Sequence, residues 1–337
     1  MKRVVGICLM IWMCGVVKKN HAQDLHFSQF DVFQASLSPA LAGFMESAYR
    51  FSLINRNQWR SVSVPYRTFG LHAEAASPLS INGLGVGLVF LTDRAGDSRF
   101  TTNKLGLSSN YRIDFKAQKI AFAFGAQIKF VQYKIDYSQL AYDAQYNGFF
   151  YDPSLPSGEQ AGIDNVRVGE FALGTVFRKS FSKTDYFSLF GGFFNLSNPG
   201  VSWLGDASVT QDTRVNLGGQ GYVTINKKYA ALPALVYAVQ GPLQELVLGG
   251  RVKRIIKERR RDSQAVYGGM YWRNRDALYL SVGMDYNDWY GGLSYDVNLS
   301  SLKEASNARG GFELVLVYKI SKFNAYLKSH KTCPTFF

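Results

Sequence analysis

Apolar and polar residues alternate along most of the chain, in segments of about ten residues separated by turn-forming residues. Between Leu278 and Tyr286, every second residue is apolar and most of the intervening ones are small or polar. Three further segments repeat the pattern, at 120–130, 245–253 and 310–322. Successive side chains of a β-strand point to opposite faces, so the pattern predicts strands with one apolar and one polar face.

Fourteen such segments follow one another along the chain. They are predicted at 47–57, 66–77, 83–92, 99–113, 118–134, 165–180, 183–195, 212–226, 229–241, 243–254, 263–274, 276–287, 289–299 and 310–322. An even number of antiparallel strands is what a closed bacterial barrel with both ends in the periplasm requires. The sequence therefore predicts an all-β fold, a transmembrane antiparallel β-barrel of about 14 strands.

The connection lengths predict the orientation of the barrel, because outer-membrane barrels have short periplasmic turns and longer extracellular loops. If the first strand runs outward, the longest connections are all extracellular, at 135–164, 196–211 and 300–309. The connection at 255–262 departs from this rule, since it is moderately long for a periplasmic turn.

A soluble β-sandwich is the alternative fold, because half-buried strands of soluble sheets also alternate. The repeated strand length and the scarcity of charge on the apolar faces favour the membrane barrel. In hydrocarbon every backbone polar group needs a partner within the sheet, so an inserted sheet has to close.

The first 22 residues have the pattern of an export signal, in which Lys2 and Arg3 precede an apolar stretch and Ala22 offers a small residue before the cleavage site. A retained membrane anchor is the alternative. The segment before the first strand is rich in phenylalanine, and we expect it to fold into the lumen rather than expose its rings. The predicted division is a signal peptide at 1–22, an N-terminal periplasmic or plug segment at 23–46, the barrel at 47–322 and a C-terminal periplasmic tail at 323–337.

Composition agrees with an exported barrel. Aromatic residues make up 15% of the chain, and membrane barrels use such rings as girdles at both interfaces. The formal net charge is +13, of which +9 remains without the signal, and this excess suits acidic partners or lipid phosphate. We expect no nucleic-acid partner after export. The histidines are dispersed and Cys333 is the one cysteine beyond the signal, so we predict no catalytic residue, metal site or cofactor.

Three groups of residues are candidate contacts for protein partners, since exposed aromatic rings give contact area at low entropic cost and arginines bind carboxylates. They are Arg56, Asn57, Gln58 and Trp59 at the outer end of the first strand; Tyr142, Tyr146, Phe149, Phe150 and Tyr151 in the longest loop; and Arg259, Arg260 and Arg261 at the periplasmic end. Each group also has a structural interpretation. The first would bond to neighbouring strands in the lumen, the second would fold into the barrel, and the third would reach lipid phosphate.

Seven segments carry a resemblance to a known family. They read QDLHFSQF at 23–30, LSPALAG at 37–43, RNQW at 56–59, FFNLSNP at 193–199, LPALVYAVQGPLQELVLGG at 232–250, YWRNRDALYLSVGMDYNDWYGGLSYDVNLSSL at 271–302 and GGFEL at 310–314. In these segments and their order, the chain resembles the PorP/SprF proteins of the type IX secretion system of Bacteroidetes. Ser38 departs from the asparagine that the family usually has before Pro39.

The resemblance implies a non-enzymatic outer-membrane component that supports secretion or cell-surface attachment of large adhesins and, in gliding species, motility. The implied partners are outer-membrane lipid, a secreted adhesin or other type IX cargo, and periplasmic or peptidoglycan-associated components of the same system. The alternative function is an outer-membrane pore or hydrophobic-solute transporter of the fatty-acid-transporter type. A conductance measurement would separate the two.

Overall fold

The computed structural model describes residues 24–59, 64–159, 162–259, 262–300, 303–307 and 309–321. In these residues fourteen antiparallel strands pair in sequence order, and the last strand pairs with the first, which closes the barrel. The predicted barrel and strand number are confirmed, and the soluble sandwich is wrong. The predicted signal peptide and most of the predicted C-terminal tail lie outside the described residues.

The strands lie close to their predicted positions. They are β1 (Tyr49–Gln58), β2 (Tyr66–Ala76), β3 (Leu84–Ala95), β4 (Phe100–Phe115), β5 (Ile120–Lys134), β6 (Asn165–Ser180), β7 (Tyr186–Phe194), β8 (Arg214–Thr224), β9 (Tyr229–Gln240), β10 (Leu243–Arg259), β11 (Asp262–Arg273), β12 (Ala277–Tyr286), β13 (Trp289–Asn298) and β14 (Arg309–Ile320). The helices are short: α1 (Lys303–Ser306) and 3-10 turns at Gln34–Ser36, Pro39–Leu41, Pro78–Ser80, Tyr137–Gln139 and Asp143–Gln145. Within the described ranges, no helix has the length and apolar character needed to cross a membrane.

Side chains alternate between the lumen and the outer face of the barrel, as predicted. On β14 the buried Glu313, Val315 and Val317 alternate with the exposed Leu314 and Leu316. The same alternation makes the outer face apolar on the other strands. This face meets lipid, because apolar rings and aliphatic chains form the outward band of outer-membrane barrels.

The basic segment near the periplasmic end is mostly strand, so the predicted connection at 255–262 is wrong. β10 continues to Arg259 and β11 begins at Asp262, and these two residues pair with each other. The backbone of β10 bonds to the preceding turn at Ile255, whose N–H donates to the Lys228 carbonyl, and beyond this point β10 pairs with β11 alone. Charged side chains beyond the rim are solvated by water, so the apolar alternation stops while the strand continues.

Residues 24–48, here called the N-terminal segment, lie inside the barrel and supply much of its core. Phe27, Phe30 and Phe33 are buried there against lumen-facing side chains. The segment begins near the outer rim, where the Asp24 N–H donates to the side chain of Gln240, the last residue of β9. It ends at the periplasmic rim, where Ala48 bonds to the last residue of β14. The chain therefore descends through the lumen before it enters β1.

Candidate functional site

A buried ionic cluster holds the N-terminal segment to the seam between β1 and β14. The Arg56 guanidinium donates to Glu313 and to the Ser28 hydroxyl, each at 2.7 Å, and to Asp296 at 3.1 Å. Glu313 also accepts from the backbone N–H of Ser28 at 2.7 Å and of Gln29 at 2.9 Å. Charge-assisted bonds of this kind are strong where water is excluded. The cluster therefore fixes the position of the segment against the barrel wall.

Asp24 anchors the outer end of the segment. Its carboxylate accepts hydrogen bonds from Lys104 Nζ and from Asn195 Nδ2, both at 3.0 Å. Burial acts to raise the pKa of Asp24, but Lys104 and Arg214 outweigh burial and hold that pKa below its usual value. The carboxylate is therefore ionised at neutral pH and stays paired with the lysine.

His26 lies beside a carboxylate and is nevertheless neutral. Its Nδ1 atom is 3.2 Å from Glu245 Oε2. Burial, together with the nearby Arg273, Arg56 and Arg214, holds the pKa of His26 well below its usual value. The ring carries no charge at neutral pH, so this contact is not an ion pair.

Glycines on neighbouring strands let the periplasmic half of the segment lie close to the wall. A Cβ atom on Gly125 would lie 2.7 Å from Ala40 N and 2.8 Å from the carbonyl carbon of Pro39. Three further glycines would meet atoms of residues 37–42 in the same way: Gly85, Gly174 and Gly192. The close approach of the backbone thus depends on the missing side chains.

The middle of the segment is held by strands β10, β11 and β13. Asp31 forms an ion pair with Arg251 of β10, and that arginine donates to the Tyr290 hydroxyl at 2.7 Å. Phe30 packs edge-on against Tyr271, with ring centroids 5.6 Å apart. These contacts hold Phe30 and Asp31 against strands β10 and β11.

Above Asp24 and His26 the lumen widens into a cavity of about 850 Å³, here called the outer vestibule. Aromatic pairs form its walls. Trp59 stacks on Tyr66 with centroids 6.0 Å apart, and Phe100 stacks on Tyr133 at 6.3 Å. Trp203, from the loop between β7 and β8, packs edge-on against the Phe100 ring at 5.7 Å. The volume is in the range of ligand-binding pockets.

The predicted contact at 56–59 does not form one surface. Arg56 is 1% exposed, so its prediction as a surface contact is wrong, because its guanidinium is engaged inside the barrel. Gln58 and Trp59 line the outer vestibule. Asn57 is half-buried, and its side chain donates to the Asn55 side chain at 3.3 Å.

The aromatic residues of the longest loop form a short exposed hairpin, residues 145–152, here called the aromatic hairpin. Tyr146 and Tyr151 pair across it, and its tip presents Phe149 and Phe150, which are 90% and 62% exposed. The Asn147 side chain accepts from the backbone N–H groups of both phenylalanines, at 3.0 and 3.1 Å. The tip faces solvent, so the alternative in which these rings fold into the barrel is wrong.

Hydrogen bonds stiffen the base of the aromatic hairpin. The buried Gln145 donates to the Leu155 carbonyl at 3.1 Å. Its side-chain oxygen accepts from the Tyr142 N–H at 3.2 Å and from the Tyr151 hydroxyl at 3.3 Å. Tyr142 is therefore a half-buried support for the hairpin rather than part of its tip.

The predicted basic contact falls between the end of β10 and the start of β11 in the chain, a position here called the basic tip. Arg259 ends β10, whereas Arg260 and Arg261 lie outside the described residues. Next to them Lys257 bonds to Asp262 at 3.1 Å on an exposed surface. A partner at this tip stays a prediction.

Sequence reasoning missed the residues that hold the N-terminal segment. Asp24, Ser28 and Glu313 carry most of its polar contacts. A signal was present, because Glu313 and Asp296 fall on the lumen-facing positions of predicted strands. A carboxylate at such a position needs a partner inside the barrel.

One family model and several solved structures match this chain. The family model described as type IX secretion system membrane protein PorP/SprF matches residues 19–318. No curated protein matches the sequence. The toluene transporter TbuX of Ralstonia pickettii has a similar structure, with a TM-score of 0.50 and 10% identity over 85% of this chain and 92% of that chain. The CymD monoaromatic hydrocarbon channel gives 0.50 and 10% over 86% and 93%. At these identities the likeness shows the fold alone.

Proposed function

Because the chain belongs to the PorP/SprF family of type IX secretion system membrane proteins, we propose that it supports secretion or cell-surface attachment of large secreted proteins such as adhesins. In a gliding species this role extends to motility. The protein lies in the outer membrane, with lipid around the apolar face of its barrel. Family and fold are of a non-enzymatic kind, and we infer a role in binding rather than catalysis.

The observation that carries this proposal is the aromatic hairpin. The side chains of Phe149 and Phe150 are exposed to water, which is unfavourable for apolar groups. Exposed aromatic groups of this kind mark protein contacts. The backbone of the hairpin is already held by Asn147 and Gln145, so little conformational entropy is lost when a partner binds. We therefore assign the extracellular partner, a secreted adhesin or other type IX cargo, to this tip.

We assign a second partner to the opposite end of the barrel. The basic tip between β10 and β11 extends past the neighbouring strand β9, which pairs with β10 only as far as Arg254. Arginines at 259–261 suit an acidic surface on a periplasmic or peptidoglycan-associated component of the same secretion system.

Transport of a hydrophobic solute is the second candidate function. TbuX is named a toluene transporter and CymD a monoaromatic hydrocarbon channel, and both have this fold. The N-terminal segment argues against an open pore, because Arg251 of β10 holds it on one side of the lumen and the glycines of β3 to β7 lie against it on the other. Attachment is the better supported function for this reason.

Co-purification tests the attachment proposal. The tagged full chain is solubilised from outer membranes, and secreted proteins bound to it are identified by mass spectrometry. We expect a large secreted protein with the unmodified chain and its loss when Phe149 and Phe150 are both changed to Ser.

The matched control is Leu204→Ser, which removes another exposed apolar side chain, 82% exposed, from a different extracellular loop. It should leave co-purification unchanged. Retention of the secreted protein by the Phe149 and Phe150 variant, in a properly inserted barrel, would refute the assignment of the partner to this hairpin.

A further inference from the structure

The outer vestibule has a second property besides its aromatic walls: its lining is acidic in a strongly basic protein. Among the described residues that line it are five aspartates, against two arginines and one lysine. His26 adds no charge, because burial and nearby arginines keep the ring neutral. The vestibule therefore attracts cations although the whole chain has a net charge of +13.

Most of these carboxylates already have partners. Asp24 is paired with Lys104 at 3.0 Å, and Arg273 lies 2.9 Å from Asp276 and 3.5 Å from Asp296. Asp296 also pairs with Arg56 at 3.1 Å, so each of these three carboxylates has a cationic partner.

Asp93 on β3 is different. It forms no ion pair within the described part of the chain, and its carboxylate accepts one hydrogen bond, from the Thr68 hydroxyl at 2.6 Å. Lys104 and Arg56, the cationic side chains whose charges act on Asp93, are engaged by Asp24 and Glu313. Asp93 thus presents an uncompensated negative charge to the vestibule.

The neighbours of Asp93 form a slot beside it. In the sheet, Asp93 is in register with Thr68 of β2 and Thr102 of β4. Two residues further outward on those strands are Tyr66 and Phe100, which line the vestibule. The residue of β3 opposite Phe100 is Ala95, which also lines the vestibule, so no large side chain of β3 stands between Tyr66 and Phe100.

A carboxylate below two aromatic rings is an arrangement that binds organic cations. The faces of the rings attract a guanidinium or ammonium group, and the carboxylate supplies its counter-ion. We propose that this slot of the outer vestibule binds the guanidinium or ammonium group of a secreted polypeptide, between Tyr66 and Phe100 and against Asp93. The inference rests on the proposed function only in taking a secreted polypeptide as the source of the cation.

Peptide binding to the full chain in detergent tests the proposal, with the fluorescence of Trp59 and Trp203 and calorimetry as readouts. The probes are capped glycine pentapeptides with a central arginine, lysine or uncharged citrulline. We expect saturable binding of the arginine and lysine peptides and none of the citrulline peptide. Asp93→Asn should weaken binding about tenfold, since it removes a charge-assisted bond.

Two further variants keep the result interpretable. Asp97→Asn makes the same charge change on an exposed residue outside the vestibule lining and should bind as the unmodified chain does. Ala95→Leu fills the slot without a change of charge and should abolish binding. Heat-modifiable migration on gels confirms that each barrel is folded.

Equal binding of the citrulline peptide, or full binding by folded Asp93→Asn and Ala95→Leu chains, would overturn the inference. If a single capped arginine binds as tightly as the pentapeptide, the cation need not come from a polypeptide, and that part of the inference is overturned. If the peptides do not bind but a secreted protein still co-purifies, the Asp93 slot is refuted and the proposed attachment function is not. The Phe149 and Phe150 variant should lose the secreted protein and still bind the peptide. This result supports both the hairpin contact and the Asp93 slot.

Discussion

Arg56 on β1 lies directly opposite Glu313 on β14, and their side chains form an ion pair of 2.7 Å inside the barrel. The two residues belong to the first and last strands, so the pair spans the seam that closes the sheet. Both residues also bond to Ser28 of the N-terminal segment. Closure of the barrel and position of the segment therefore depend on the same charges.

Glu313→Gln should destabilise the barrel by about 3 kcal/mol, because removing one partner leaves the Arg56 charge buried and poorly compensated. Urea unfolding in lipid vesicles measures the free energy of unfolding. Glu46→Gln, at an exposed position before β1, is the control and should change this free energy by less than about 0.5 kcal/mol. Similar effects of the two changes would contradict the role of the ion pair.

Gly125→Val should release the periplasmic half of the N-terminal segment, because the added side chain would overlap the backbone of Pro39 and Ala40. We expect faster chymotrypsin cleavage at Phe44, which is buried in the docked segment, in reconstituted barrels. Gly169→Val is the control, since a Cβ atom there meets nothing within 4 Å. Protection that survives Gly125→Val would show that the segment is held without this close contact.

Docking of the N-terminal segment should weaken as the pH falls below about 6.5, the usual pKa of histidine. The pKa of His26 in the docked state is well below that value, so a released segment takes up a proton that the docked one does not. Protonation of His26 therefore does not oppose docking above about pH 6.5, and it opposes docking increasingly as the pH falls below that value. Hydrogen exchange of residues 24–33, corrected for intrinsic rates, measures this effect. His26→Gln should flatten the profile, and an unchanged profile would exclude His26 as the cause.

Changing Arg259, Arg260 and Arg261 together to Glu should abolish co-purification of a periplasmic partner, because an acidic surface would then be repelled. The control changes Lys116 and Lys119, in the periplasmic turn between β4 and β5, to Glu. If both variants retain the partner, the basic tip is not its binding site. If both lose it, the effect is one of general charge.

Strand positions could be predicted from the sequence because each strand has lipid on one side. Leu280, Val282 and Met284 of β12 are exposed outward, and the polar residues between them face inward, as the alternation indicates. The end of β10 could not be predicted in this way. Beyond Ile255 both faces meet water, so no alternation marks the strand.

Side-chain contacts inside the lumen could be predicted less well. The alternation assigns a residue to the inner face but does not indicate which residue it contacts. Arg56 resembled a surface residue at a strand end, although it pairs with Glu313, 257 positions further along the chain. The Asp93 slot depends likewise on the register of β2, β3 and β4. The first contact follows from closure of the sheet, and the second from the pairing of three neighbouring strands.

We expect the N-terminal segment to close the lumen, so that the barrel is not a pore. Single-channel recording in planar bilayers measures this property. We predict no stable conductance for the unmodified chain and an open channel when residues 24–44 are deleted. A wide constitutive conductance of the unmodified chain would show that the segment leaves the lumen open.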